Sequence, residues 1–482
     1  MGIAERRYFS IWSRASGGGE RYQKLFKELI RGDDKQDPEN ADPIARHYLY
    51  KQILNCLRAF HNGRTPEMVF RSRLDEIEIL SARGLYSLAK RQLKKLIKHA
   101  EELDAFPYLQ LARQWERRLL KRLPGKNRLL SLETFRREEL EWKRKQEQEN
   151  NLQYLNDRMY LENQILPGRF DSASTLMESL PATSENLDTF EAKIMFHFVQ
   201  AFFHQQHKQA DKSFIHFESI IKLWQAHPHR IKNYPHRFAL SVADYLANCH
   251  QVENYEPFPS LLNQVRKIEY PDTDSETRAR RSFFNLELLF HMNKGNWDLA
   301  ESLVEEKGQE ITEGDKLIPH ALKISFCLNF AIIYFFREKY SESLGWINTV
   351  INEPQSDDRP DLLRFCVFLR CILQIELGET ELFTYLLQSA KRNYKTWIQR
   401  SEFAKILIKL LESCANQPVA ERKTSATLFL KKLEIIIQKN PVQETGFREM
   451  KLWSQSMAEG KPISELLKLE KIRKSEYNPS EP

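Results

Sequence analysis

Between Ile324 and Pro354 the chain reads ISFCLNFAIIYFFREKYSESLGWINTVINEP, and this stretch decides the fold. Phe326, Phe330, Ile333 and Tyr334 recur at helical spacing and stripe one face of a first helix. Leu344, Ile347, Val350 and Ile351 do the same for a second. Between them lies a turn residue, Glu338, followed two places on by an aromatic, Tyr340, and three further by a small residue, Ser343. The aromatic opens the second helix and packs back on the first, while the small residue lets the two axes approach where they cross. The stretch therefore reads as a helix–turn–helix hairpin, with Pro354 just past its end.

The same turn–aromatic–small signature recurs along the chain. Gly84-Leu85-Tyr86-Ser87-Leu88-Ala89, Gly168-Arg169-Phe170-Asp171-Ser172-Ala173 and Gly295-Asn296-Trp297-Asp298-Leu299-Ala300 carry it with glycine at the turn. Weaker echoes begin at Lys208, Glu253 and Gly378. The starting positions 84, 168, 208, 253, 295, 338 and 378 are spaced by about 40 to 45 residues or twice that, the mark of a repeat architecture. Glycine past a helix accepts the left-handed conformation that ends it.

At these residues the chain resembles the tetratricopeptide family. Asn329, Ala331, Tyr334, Tyr340, Ser343, Ile347 and Val350 fall on consensus positions of that family, while Pro354 comes one residue early. The period here exceeds the family's 34 residues, and the copy at Gly378 has Arg370 and Phe383 where an apolar and a small residue are expected. With Tyr48-Leu49-Tyr50-Lys51 ahead of the first hairpin, the chain is also similar to uncharacterised bacterial helical-repeat proteins, which carry no activity to transfer. The resemblance implies an all-α, right-handed superhelical array of antiparallel hairpins, roughly nine or ten of them, with a concave ligand face. Carried over residue by residue, that face is Asn285, Leu289, Met292 and Asn293 in one hairpin and Leu328, Ile332, Phe335 and Phe336 in the next. Its apolar character points to a protein or peptide partner.

Composition agrees with helices. The 482 residues are 41% hydrophobic and 29% charged, which is the ordinary globular range, and only 16 are glycine. Met1-Gly2-Ile3-Ala4-Glu5-Arg6-Arg7 leads into no apolar signal core, and no run approaches the ~18 apolar residues of a membrane span. The six cysteines form no Cys-x-x-Cys pair and sit in apolar patterns, so they read as small core residues in a reducing compartment. The expected address is the cytoplasm. Residues 1–42 read as loosely ordered, 43–474 as a continuous array with a long polar helical arm over 132–166, and 475–482 as a frayed tail.

No chemistry stands out. Phosphate-cradling loops and His-Glu-x-x-His are missing, so no cofactor, metal or catalytic residue is expected. His197, His204, His207 and His216 cluster in sequence without completing a zinc ligand set. Arg230 and His236 have a spacing that some helical ribonucleases use, interrupted here by Pro235. Asp33-Asp34 and Asp357-Asp358 read as caps in loops. The alternative to a protein partner is nucleic acid, held by Lys94, Lys95, Arg117, Arg118, Lys121 and Arg122 within the basic stretch Lys90 to Arg144. Glu101, Glu102, Asp104 and Glu116 interrupt that stretch, and the net charge of the chain is a modest +7.

Overall fold

A computed structural model describes residues 1–15, 24–27, 43–124, 128–165, 180–181, 183–270, 272–313, 318, 320–352, 360–416, 419–439 and 445–469. Among them every regular element is helical. The repeat copy at Gly168, the loops holding Asp33-Asp34 and Asp357-Asp358, Pro354 and the tail over 475–482 lie outside the described residues. The chain divides into two compact units, Met1–Asn254 with Asn263–Ala279, and Tyr255–Leu262 with Arg280–Pro482.

The first unit holds α1 (Ile3–Ala15), α2 (Pro43–Phe60), α3 (Pro66–Ala82), α4 (Tyr86–Glu102), α5 (Phe106–Arg122), α6 (Arg128–Ile165), α7 (Phe190–Gln206), α8 (Ala210–Ala226), the short α9 (Pro228–Asn233) and α10 (Pro235–Gln251). The division between units falls within α11 (Phe258–Val265) and α12 (Thr273–Asn293). The second unit continues with α13 (Trp297–Glu313), α14 (His320–Phe336), α15 (Tyr340–Asn352), α16 (Pro360–Glu376), α17 (Thr380–Asn393), α18 (Lys395–Arg400), α19 (Glu402–Asn416), α20 (Val419–Lys439) and α21 (Phe447–Glu459). In both units helices that are neighbours in sequence pack as pairs, and α14 also packs on α16, the first helix of the following hairpin.

The turns explain this order. Gly84, Asp104, Lys208, Glu253, Gly295, Glu338 and Gly378 all have φ between 54° and 81°, the left-handed conformation. In each case the next residue's N–H donates to the carbonyl five residues back, from Leu85 to Leu80, Ala105 to Ala100, Gln209 to His204, Asn254 to Cys249, Asn296 to His291, Lys339 to Tyr334 and Glu379 to Gln374, at 2.8–2.9 Å. This is the Schellman closure of a helix end. The residue five places past each turn is then sealed: Ala89, Leu109, Ser213, Phe258, Ala300, Ser343 and Phe383 are 0–1% exposed. Ser343 also donates its hydroxyl to Ala331 O at 2.8 Å. Burial, more than small size, is thus what this position requires, since leucine and phenylalanine fill it as well.

Two non-glycine turn residues have side chains with further work. Glu338 Oε1 accepts the backbone N–H of Ile463 at 2.8 Å, while Arg337 and Lys339 on either side of it pair with the buried Glu301 at 3.1 and 2.5 Å. Asp104 is taken up below.

Two stretches depart from expectation. The N-terminal segment is not uniformly loose: Phe9 of α1 is buried, its ring 4.2 Å from that of Phe26, and both pack with Leu49 and Cys56 of α2. The long helix α6, 38 residues, read as a polar arm over 132–166, acts as a spine. Trp142 enters the core of α3, α4 and α5, while Leu152, Leu155 and Met159 seat on Ala192, Phe196 and Val199 of α7. Arg113 is 3% exposed, lies between the rings of Phe135 and Trp142 at 4.1 and 4.7 Å, and pairs with Glu116 and Glu138.

The turn account has a direct test. A Cβ at Gly378 meets no atom within 4 Å, so Gly378→Ala isolates the left-handed penalty and should lower stability by about 1–2 kcal/mol. Lys208→Gly, at an exposed turn residue, should raise it by roughly 0.5 kcal/mol, the relief of that penalty less the added chain entropy. Urea midpoints of the two variants should therefore move in opposite directions.

Candidate functional site

The groove expected from the tetratricopeptide resemblance is not open. Met292, Leu328, Ile332, Phe335 and Phe336 are 0–7% exposed and belong to the core of the second unit. Trp297 sets its ring edge-on to Phe336 at 5.1 Å, and Arg448 lies over the same ring at 5.8 Å. Leu289 packs against this core, half-buried, and Asn285 accepts a hydrogen bond from Asn329 at 3.4 Å. The reason is visible in α14, which is apolar all round: a helix of that kind is covered on every side. These residues hold the unit together and present no ligand surface.

An open cleft of about 1030 Å³ lies instead in the first unit. Its wall is built from the first turn of α3 (Thr65, Glu67, Met68), the α4–α5 turn (Asp104, Ala105, Pro107, Tyr108) and the middle of α6 (Glu149, Asn150, Gln153). Glu191 and Met195 of α7, Tyr234, His236 and Arg237 at the start of α10, and Asp272 close it, with His61 and Arg64 at one side. Thr65 caps α3 by accepting the N–H of Met68 at 3.3 Å, which fixes Glu67 in the first turn.

A set of long-range polar contacts shapes the wall. Arg230, 4% exposed, donates to Asp104 Oδ2 at 2.6 Å and to the carbonyls of Glu102 and Leu103 at 3.0 and 3.3 Å, with its guanidinium 4.6 Å from the Phe190 ring centre. Asp104 also accepts the N–H of Phe190 at 3.4 Å. The left-handed turn residue thereby ties the α4–α5 hairpin to the starts of α7 and α9. Arg237 grips Glu191 through two nitrogens at 2.7 and 2.5 Å, a bidentate pair. Tyr234 donates its hydroxyl to Glu67 at 3.1 Å, and Thr189 donates to Glu149 at 2.6 Å.

Five carboxyl groups line the cleft (Glu67, Asp104, Glu149, Glu191, Asp272) against two arginines, Arg64 and Arg237, and the buried Arg230 behind. The excess is negative. Burial pushes the Glu149 carboxyl up to about 7, and the nearby charges of Glu191 and Asp104 add to that, against the hydrogen bond from Thr189. Burial holds the His236 imidazole below its ordinary value, with Arg237 adding to the effect. Its Nδ1 is buried and, among the described residues, has no hydrogen-bond partner. A cleft with surplus carboxylate is chemically suited to a cationic, hydrogen-bonding ligand.

The remaining sequence candidates fall into place around it. Arg230 is a structural clamp and His236 a cleft residue, so the ribonuclease-like spacing splits between two roles. His197 and His216 bring their Nδ1 atoms to 3.1 Å, and the ring of His204 stacks on His216 at 5.6 Å. Burial holds both His197 and His216 down at about 4, helped by the neighbouring histidine in each case. Among the described residues no three His, Cys, Asp or Glu side chains are placed to hold a metal ion. Lys94, Lys95, Arg117, Arg118, Lys121 and Arg122 are exposed on the packed pair α4 and α5, with Arg117 paired to Glu139 at 2.6 Å and Arg118 over the Trp115 ring at 4.7 Å. All six cysteines are buried free thiols, and burial pushes Cys366 and Cys371 up to about 12. Among the described residues no helix is long and apolar enough to cross a membrane.

Sequence reading missed Glu67, Glu149, Glu191 and Tyr234, because each is an ordinary polar residue on a helix or, for Tyr234, between two. Only Asp104 left a trace, as an unrecognised copy of the turn signature in Asp104-Ala105-Phe106. Comparison with protein-family models, curated proteins and solved structures finds no match to the chain.

Glu149 supplies a test of the cleft's electrostatics. Its carboxyl titrates near 7 in the fold against an ordinary 4.5, so folding takes up a proton between those values. Stability from this group therefore falls as pH rises from 4.5 to about 7 and is level above. Glu149→Gln, which keeps an acceptor for Thr189, should be about 1–2 kcal/mol more stable than wild type at pH 8 and equal to it at pH 4.5. Urea unfolding at the two pH values reads the difference.

Proposed function

We propose that this chain is a non-enzymatic protein-interaction scaffold of tetratricopeptide type, which receives a basic segment of a partner protein in the acidic cleft of its first unit. The observation that carries the reading is that cleft: about 1030 Å³ of open space with more carboxylates than cations on its wall. An extended stretch containing arginine or lysine matches it in charge and in hydrogen-bond donors. Side chains of that kind place cationic donors against Glu67 and Glu149.

The scaffold half of the proposal rests on the repeated left-handed turns, which come at intervals of 40 to 45 residues over much of the chain and each end one helix just before the next begins. Stacking of such hairpins in a right-handed superhelix is the arrangement that the resemblance implies, with each hairpin burying its apolar stripe on its neighbours. Most of the cleft's carboxyls are fastened by partners, Glu67 by Tyr234, Asp104 by Arg230 and Glu191 by Arg237. Groups so fixed suit recognition of a charge pattern better than proton transfer to a substrate. Six buried thiols suit a reducing compartment, and the cytoplasm is the address we assign.

Calorimetric titration with an arginine-rich octapeptide, and with its glutamate counterpart as control, tests this. The arginine peptide should bind and the glutamate peptide should not. At pH 7 binding should release up to about half a proton as the cation pulls Glu149 to its ionised form, seen as an enthalpy that depends on the buffer. Glu149→Gln should abolish that release. Equal binding of both peptides, or of neither, contradicts the proposal.

A further inference from the structure

We propose that the first unit has a second binding site, for a single-chain aliphatic carboxylate, in the cavity enclosed by α4, α5 and the start of α6. This site does not depend on the acidic cleft or on its partner.

The cavity measures about 280 Å³. Its apolar lining is Leu93, Leu119, Leu120, Leu123 and Phe135, of which Leu93 and Leu119 are buried. Its polar lining is mainly cationic: Lys90 and Lys94 of α4, one helical turn apart on one face, and Arg128 at the first residue of α6. Arg128 is steadied by donating to the carbonyl of Leu123 at 2.7 Å, which keeps its guanidinium beside the apolar lining. The one carboxyl in the wall, Glu116, shares the buried Arg113 with Glu138, so it offsets at most one of the three cations. Burial raises the titration of Glu116 further toward its neutral form.

An apolar lining with cations about it discriminates between ligands. A phosphate or a nucleic-acid backbone finds the charge but leaves the leucine-lined space empty. A neutral hydrocarbon fills the space and leaves the lysines without a counter-charge. A straight-chain carboxylate satisfies both. At the ~30 Å³ of liquid volume that a water molecule occupies, and a methylene group takes a similar share, the space suits a chain of about eight to ten carbons. It is too small for a two-chain lipid. Lys94, one of the cations that the sequence reading assigned to a nucleic-acid face, is thereby given a ligand of different chemistry.

Isothermal titration with decanoate, below its micelle concentration, tests the site, with decanol as the uncharged control. Decanoate should bind saturably at one per chain and more tightly than decanol. Lys94→Glu, at an exposed position that should not disturb folding, should weaken decanoate about tenfold, a loss near 1.4 kcal/mol. Leu120→Trp should fill the cavity and abolish binding, with helicity by circular dichroism unchanged. The bilayer is the rival occupant, because Leu129 and Leu130 nearby are 78% and 60% exposed. Sedimentation with phosphatidylglycerol vesicles without saturable decanoate binding overturns the proposal, as does decanoate affinity that neither variant changes.

Discussion

A residue held in the left-handed conformation, with the next N–H bonded to the carbonyl five residues back, is the constraint on which the rest of the structure depends. It ends one helix, turns the chain through a tight reversal and delivers a side chain five places on into a sealed seat. Where the turn residue is glycine, the conformation has little steric cost. Where it is Asp104 or Glu338, a cost of about 1–2 kcal/mol is incurred, and in both cases the side chain makes a bond to a distant part of its own unit. Asp104 and Glu338 thus convert a local necessity into a tertiary link.

That conversion places the cleft. Without Asp104 at the α4–α5 turn, the buried Arg230 has no counter-charge, and removing one partner of a buried pair is far more damaging than the pair's net worth. The clamp fixes α9, and through it Tyr234 and Arg237 at the start of α10, against α3 and α7. The spine α6 supplies the opposite wall, anchored by Trp142 at one seat and by Leu152, Leu155 and Met159 at another. Glu149 sits between those anchor points, and its burial follows from them. The electrostatics of the cleft are in this sense a product of helix packing.

The turns were legible because their signal is local. Each described turn read from the sequence, at 84, 208, 253, 295, 338 and 378, has the left-handed backbone that the pattern called for. Asp104 escaped because it falls about midway between expected copies, off the spacing of 40 to 45 residues that marks the others, with Leu109 at its buried seat. The groove was misplaced for a different reason. The apolar pattern of α14 has no polar face, so a stripe that matches a ligand-lining position cannot be told from one that meets the unit's own core. The cleft was invisible because its parts are joined by contacts across great chain separations, 126 residues between Asp104 and Arg230 and 167 between Glu67 and Tyr234. Charge pairing over such distances leaves no periodicity to read. The spine α6 was read only as a long polar arm because two separate seats, on two cores, do not add up to one heptad.

The central claim is that a partner is received by the polar cleft of the first unit and that the apolar stripe of α12 and α14 is core. Hydrogen–deuterium exchange, followed by mass spectrometry with and without the arginine-rich peptide, tests it most directly. The account predicts new protection over 61–68, 103–108, 149–153 and 234–237, with 285–293 and 328–336 already slow to exchange and unchanged by the peptide. Protection appearing over 285–293 and 328–336, with the cleft segments unaffected, would contradict it.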